Sequence, residues 1–319
     1  MLTRRHVLTV APLALAAACA GEPAAGTTAS PGTTTAGSAA TTTTTTTPPS
    51  ATTTASPPAP TTTTTTTTGP PSRPTRAPTL DALRDELSAL ARRYGADLGV
   101  AVAETRSGRS FAWGAESTIE TASIAKADIL ATLLLQLQDR GARPSASQLA
   151  VADKMIRQSD HESAWTLFRQ VGLASGMTAA NRRFGLRSTQ CFDYSWGLTR
   201  TTARDQLRFV HAISSAGSKA SPLDARSGKT LLDLMEDVIP EQKWGLRAAA
   251  RSGERVCLKN GWLPRSTLGG LWIVNSIGRI TDRSLDLRVA ILSQKTTSKE
   301  QGIALVEQAA VLTRRHLAV

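Results

Sequence analysis

From residue 20 to residue 78 the chain is almost entirely Thr, Pro, Ala, Gly and Ser, with unbroken tracts at Thr41–Thr47 and Thr61–Thr68. Such a stretch has nothing to bury and is expected to stay extended and disordered. Folding is thereby confined to residues 79–319, about 240 residues, which is ample for a substantial core. The 319-residue chain carries a formal net charge of +12. Arg4, Arg5, Arg73 and Arg76 against Glu22 precede residue 79 and leave +9 for the folded region. That excess is arginine spread along the chain, with no dense basic run, so no nucleic-acid partner is expected. Attraction to an anionic cell envelope is the simpler electrostatic reading.

Residues 1–19 read as an export signal: Arg4 and Arg5, an apolar run from Val7 to Ala17, then small residues. Thr3-Arg4-Arg5-His6-Val7-Leu8 resembles a twin-arginine signal, a pattern that ordinary signals also contain. Ala16-Ala17-Ala18-Cys19 resembles the bacterial lipoprotein cleavage box, with Ala16 standing where leucine is usual. Lipidation at Cys19 would anchor an exported protein to the membrane, with residues 20–78 as a tether. Ala16 and Ala18 also suit ordinary cleavage, which would give a secreted protein. The apolar run is too short for a membrane span.

Hydrophobic spacing predicts a helix over Thr79–Tyr94, strands over Asp97–Thr105 and from Ser110, and a helix ending near Arg140. Further helices are expected over Ser145–Gln158, Glu162–Val171, Thr201–Ala216 and Gly228–Val238, with an irregular stretch from Gly172 to Arg200. Arg255–Trp262, Gly270–Ile277 and Leu285–Ser293 read as strands, and Ser298–Arg315 as a closing helix. That order describes an α/β (α+β) domain over residues 79–319. Its antiparallel sheet of about five strands is flanked by helices, with a separate helical lobe.

At the start of the apolar run Ala127–Leu135, Ser123 and Lys126 stand three residues apart, a turn of helix from each other. A serine hydroxyl needs a base to become a nucleophile. A lysine serves as one when burial or neighbouring positive charge lowers its pKa. Three other stretches accompany the pair: Ser159-Asp160-His161 between two helices, Thr201-Thr202-Ala203 after the irregular segment, and Lys259-Asn260-Gly261 on a strand. Ser159 has the chemistry to relay a proton, and Lys259 to supply fixed positive charge.

Taken in order, these stretches resemble the motif set of class A β-lactamases and related penicillin-binding proteins, over essentially all of Thr79–Val319. The likeness is to an actinobacterial, lipoprotein-like member of these serine hydrolases. It implies acyl transfer from an amide, a β-lactam or a peptidoglycan stem peptide, through an ester on Ser123 with Lys126 as base. It places Ser159 and Lys259 in the catalytic set, and His161, Asn260, Gly261 and Trp262 against the substrate. The oxyanion would lie between the N–H groups of Ser123 and Trp262. It implies no metal, no cofactor and a monomer.

Several residues depart from the pattern. His161 stands where the family has asparagine, and a protonated imidazole there would repel Lys126. Asn260 replaces threonine or serine, and Trp262 is expected to narrow the mouth of the site. The connection from Lys126 to Ser159 is short, which would trim one wall of the cleft. Between Gly172 and Arg200 there is no glutamate to orient a deacylating water; Asp193 is the one acid there. Two rival readings follow: a penicillin-binding or D,D-peptidase-like protein that is acylated but slow to turn over, and a non-catalytic domain that binds wall peptides or a partner. In an oxidising compartment, the family's fold would bring Cys191 near Cys257, leaving either a bridge or two free thiols. His6, His211 and His316 fall in no metal-binding pattern.

Overall fold

The computed structural model describes residues 79–317. The expected signal over residues 1–19, its Cys19 and the tract over residues 20–78 lie outside them. The first helix, α1 (Leu80–Tyr94), begins where the Thr79 side chain accepts a hydrogen bond from the Ala82 amide. It ends at Gly95, whose φ of +61° suits glycine. Leu83, Leu87, Leu90 and Ala91 form its buried stripe.

Five strands build the main sheet: β1 (Asp97–Glu104), β2 (Arg109–Trp113), and, after the helical middle of the chain, β5 (Arg255–Arg265), β6 (Leu271–Thr281) and β7 (Asp286–Thr296). Their order is β2-β1-β7-β6-β5, and every neighbouring pair is antiparallel. A short ribbon pairs β3 (Ile119–Glu120) with β4 (Arg200–Thr201).

Both faces of the sheet are covered, so the middle of its central strands is apolar on both sides, as in residues 100–102 of β1 and residues 289–292 of β7. On β7, Leu287, Val289 and Ile291 face the cluster that includes α1 and the last helix, α8 (Lys299–Leu317). Ala290 and Leu292 face the other cluster. That second core belongs to α2 (Ala125–Asp139) and the helices around it: α3 (Ala146–Asp153), α4 (His161–Gln170), α5 (Leu173–Arg183), α6 (Ala203–Ser214) and α7 (Ala225–Glu236). Helix α2 is buried without interruption from Ala125 to Leu135, which suits the centre of a helical lobe.

The five-stranded sheet and the lobe match the expected class. The stretch from Gly172 to Arg200 does not, because α5 occupies its first part. Gly172 and Gly176 interrupt the periodicity there, yet Met177 and Ala180 bury a stripe large enough to hold the turn. Helix α7 starts at Ala225, three residues before the expected Gly228, because Asp224 caps it through the Ser227 amide. No described helix is long and apolar enough to cross a membrane.

Candidate active site

Ser123 lies in a 3-10 turn, Ala122–Ile124, that runs directly into α2. Ala122 has a φ of +47°, a conformation that costs a non-glycine residue free energy and persists only where its surroundings enforce it. The enforcing contacts are identifiable. The Asn275 side-chain amide, from β6, donates to the Glu120 and Thr121 carbonyls at 2.9 and 3.0 Å. Gly261 of β5 backs directly onto the turn: a Cβ there would come within 2.6 Å of the Ser123 amide nitrogen. Its lack of a side chain therefore serves the approach of strand to turn.

Lys126, one turn along, is fully buried. Its Nζ is 3.0 Å from Ser123 Oγ and 3.1 Å from Ser159 Oγ, and the Ser159 carbonyl accepts from it as well. Burial, then the positive charge of Lys259, push its pKa down to about 6, against a smaller opposing pull from Asp160. At neutral pH the amine is therefore mostly uncharged. An uncharged amine that gives its two N–H groups to Ser159 has only its lone pair left, with which to accept from the Ser123 hydroxyl.

Ser159 ends a short π-helical turn, Lys154–Gln158, with a φ of +61°. Such turns often occur at functional positions. Asp160 accepts a hydrogen bond from the Ser163 amide at 2.7 Å and so starts α4. The other side of Ser159 Oγ meets Lys259 Nζ at 3.1 Å. Lys259 is almost fully buried on the edge strand β5, and burial lowers its pKa to about 7. The structure thus brings Ser123, Lys126, Ser159 and Lys259 into one hydrogen-bonded chain.

The residues expected to line the substrate are distributed differently. Asn260 points away from this chain: it is buried, and its amide donates to the Gln242 and Trp244 carbonyls at 2.9 and 3.1 Å. Strand alternation puts it opposite Lys259 and Gly261. The Trp262 side chain likewise packs away from Ser123, 5.9 Å from Trp244 and with Lys299 Nζ 4.3 Å over its ring, so it does not narrow the mouth. Its backbone is another matter. The Asn260 carbonyl accepts from Lys259 Nζ at 3.0 Å on the free edge of β5, and the two-residue period turns the Trp262 N–H to that same edge. His161 opens α4 at the rim, its ring edge-on to Trp196 at 5.3 Å. Shielding of the ring, then the nearby Lys126 charge, hold its pKa below the ordinary value, which favours neutral imidazole.

Cys191 and Cys257 are free thiols. Cys191 turns toward α5, 3.6 Å from the Asn181 amide, whereas Cys257 lies among Arg255, Arg279 and the acids of α7. Burial pushes both thiols up, to about 12 and about 11. Asp193 is exposed and caps α5 through the Ala174 amide at 2.9 Å, a helix-start role. Thr202 caps α6 through the Asp205 amide. Among the described residues, no group of His, Cys, Asp and Glu is arranged to hold a metal ion.

Sequence reasoning missed Trp196. It sits in a 3-10 turn, Trp196–Leu198, with its ring face 4.6 Å from Lys126 Nζ. An isolated tryptophan in an irregular segment gives no periodic signal. It also overlooked what Asn275 does, having read it only as part of a strand.

This arrangement of sheet, lobe and serine–lysine turn is the class A β-lactamase fold. A class A β-lactamase from Mycobacterium abscessus superposes with a TM-score of 0.63 at 18% identity, over 74% of this chain and all of that one. The structure of PBP-A also gives a TM-score of 0.63, at 20% identity, over 77% of this chain and 97% of that one. Among curated proteins, LppW of Mycobacterium tuberculosis and of Mycobacterium bovis, a lipoprotein by name, is 30% identical over 196 residues, 57% of this chain. The match spans about 60% of the length of LppW. No family model matches the chain.

Proposed function

We propose that this chain is an exported serine acyl-transfer protein, its domain over residues 79–319 held at the membrane through Cys19 and the tether over residues 20–78. The name of LppW supports the anchored location. Ser123 Oγ attacks an amide carbonyl while Lys126 takes its proton. The carbonyl oxygen, now negative, is held by the N–H groups of Ser123 and Trp262. As the C–N bond breaks, Ser159 gives its proton to the departing nitrogen and recovers one from Lys126. Lys259 stays beside Ser159 as fixed charge, available to a substrate carboxylate. The ester on Ser123 then passes its acyl group to water or to an amine. Substrates are β-lactams or peptidoglycan stem peptides, by likeness to the class A β-lactamases and PBP-A.

One observation carries this reading: a fully buried amine, its pKa lowered by that burial, stands 3.0 Å from the serine hydroxyl. A second reading, a penicillin-binding protein with slow release, draws support from Asp193. The only acid of its segment is turned to a helix cap. The test is to mix the protein with penicillin G and with a chromogenic cephalosporin, following intact mass and hydrolysis beside Ser123→Ala. A single adduct that Ser123→Ala abolishes supports acyl transfer, and the ratio of adduct to turnover separates the two readings. A wild type inert to both compounds, and to stem-peptide mimics, argues for a binding role instead.

A further inference from the structure

We propose that Trp196 is a positioning residue that walls water off from the Ser123 ester, so that the acyl-enzyme persists. The inference rests on Ser123 being the nucleophile. Hydrolysis of an ester on Ser123 needs a water beside the carbonyl and a base to take its proton. Ser123 and Ser159 take the polar side of Lys126, and the indole face covers another side at 4.6 Å. That face offers a water no hydrogen-bond acceptor of useful strength. The indole is 5% exposed, and His161 meets it from the rim.

Asp160 is the acid whose charge acts on Lys126, and its side chain already accepts from the Ser163 amide. The wall is also fixed in place. Thr121 donates its amide to the Thr199 carbonyl at 2.8 Å, and the β3–β4 ribbon ties Ile119 and Glu120 to Thr201 and Arg200. The segment that carries Trp196 is therefore stitched to the strand that leads into the nucleophile. Trp196 Nε1 is buried without a hydrogen-bond partner, so packing and the amine, not a polar anchor, hold the ring.

The experiment uses the whole chain, labelled with penicillin G, freed of excess drug and followed by intact mass, in wild type, Trp196→Phe and Trp196→Ala. Thermal melts check that each variant is folded. The adduct should survive on the wild type and on Trp196→Phe, which keeps an aromatic face. On Trp196→Ala its lifetime should shorten by about tenfold or more, on the low side of what a positioned water and base contribute. The pH midpoint of acylation should move up in the same variant, because water reaches Lys126; a merely structural role would leave that midpoint alone. If Trp196→Ala does not fold, Trp196→Leu, of smaller area and no π-face, takes its place with the same expectation. Equal adduct lifetimes across the series overturn the proposal while leaving Ser123 as nucleophile. A wild type that sheds its adduct as fast as Trp196→Ala does so too. Failure of the wild type to form any Ser123 adduct removes the nucleophile reading and this inference with it.

Discussion

Gly261 and Ser123 meet with no room for a methyl group between them: a Cβ on Gly261 would stand 2.6 Å from the Ser123 amide nitrogen and 2.9 Å from that of Ile124. Both atoms are backbone, so neither can swing aside. Gly261→Ala should therefore push β5 away from the turn that carries Ser123. Overpacking of this kind costs roughly 1–3 kcal/mol, and a displacement near 1 Å lowers a positioned reaction by about a hundredfold. Urea unfolding and the rate of penicillin acylation measure the two effects. An alanine variant that acylates at the wild-type rate would show that strand and turn can separate harmlessly.

Asn260 gives the opposite expectation. Its amide satisfies the buried Gln242 and Trp244 carbonyls on the far side of β5. Asn260→Ala should lower stability by about 1–3 kcal/mol, the usual loss when buried polar groups are left unpaired. The acylation rate of the folded fraction should hardly change. If stability holds and the substrate concentration for half-maximal acylation rises steeply instead, Asn260 touches substrate after all.

The sheet, the helical lobe and the serine–lysine turn were legible in the sequence because each leaves a pattern: strand alternation, an apolar run, residues one turn apart. The gathering of Ser159 and Lys259 about Lys126 was legible only through family likeness, since nothing local relates residues a hundred positions apart. What stayed hidden depended on side-chain direction. Asn260 and Trp262 turn to the far face by strand parity, which a motif does not display. Cys191 and Cys257 were left open between bridge and thiols, because sequence spacing does not fix whether two sulfurs meet; the structure has them as free thiols. Trp196 and α5 lay in a glycine-interrupted stretch whose packing partners are remote in sequence.

If acylation follows the proposed route, Lys126 and Lys259 should give it a narrow pH window. Lys126 must lose its proton to accept one from Ser123, and its pKa is about 6. Lys259 must keep its proton to act as fixed charge, and its pKa is about 7. The acylation rate constant should climb as pH rises through about 6 and decline above about 7, with both limbs belonging to the coupled pair. Replacing Lys259 by Met should remove the falling limb. Stopped-flow acylation across pH reads this directly, and a rate that keeps rising far into alkali would show that the charge on Lys259 is not used.

The same burial should set how the fold depends on pH, through opposing slopes on the two sides of α2. Asp128 is buried, has an oxygen without a partner, and burial raises its pKa from 3.8 to about 7. Between those values the folded state holds the proton more tightly. The stability from this group is thus complete in acid and is lost as pH rises through about 7. At about 1.4 kcal/mol per unit the loss is on the order of 4 kcal/mol. Lys126 and Lys259 act in the other direction. Their folded pKa values lie below 10.5, so the unfolded chain binds more protons above about 6 or 7, and stability rises with pH there. Together the three groups place a minimum in stability near neutrality. Asp128→Asn should flatten the acid-side fall and stabilise the protein at neutral pH. Lys126→Met should flatten the alkaline rise and also raise the neutral melting temperature, at the expense of acylation. Urea unfolding from acid to alkali on the wild type and both variants provides the check: parallel curves for all three would mean that neither side chain is held away from its ordinary pKa.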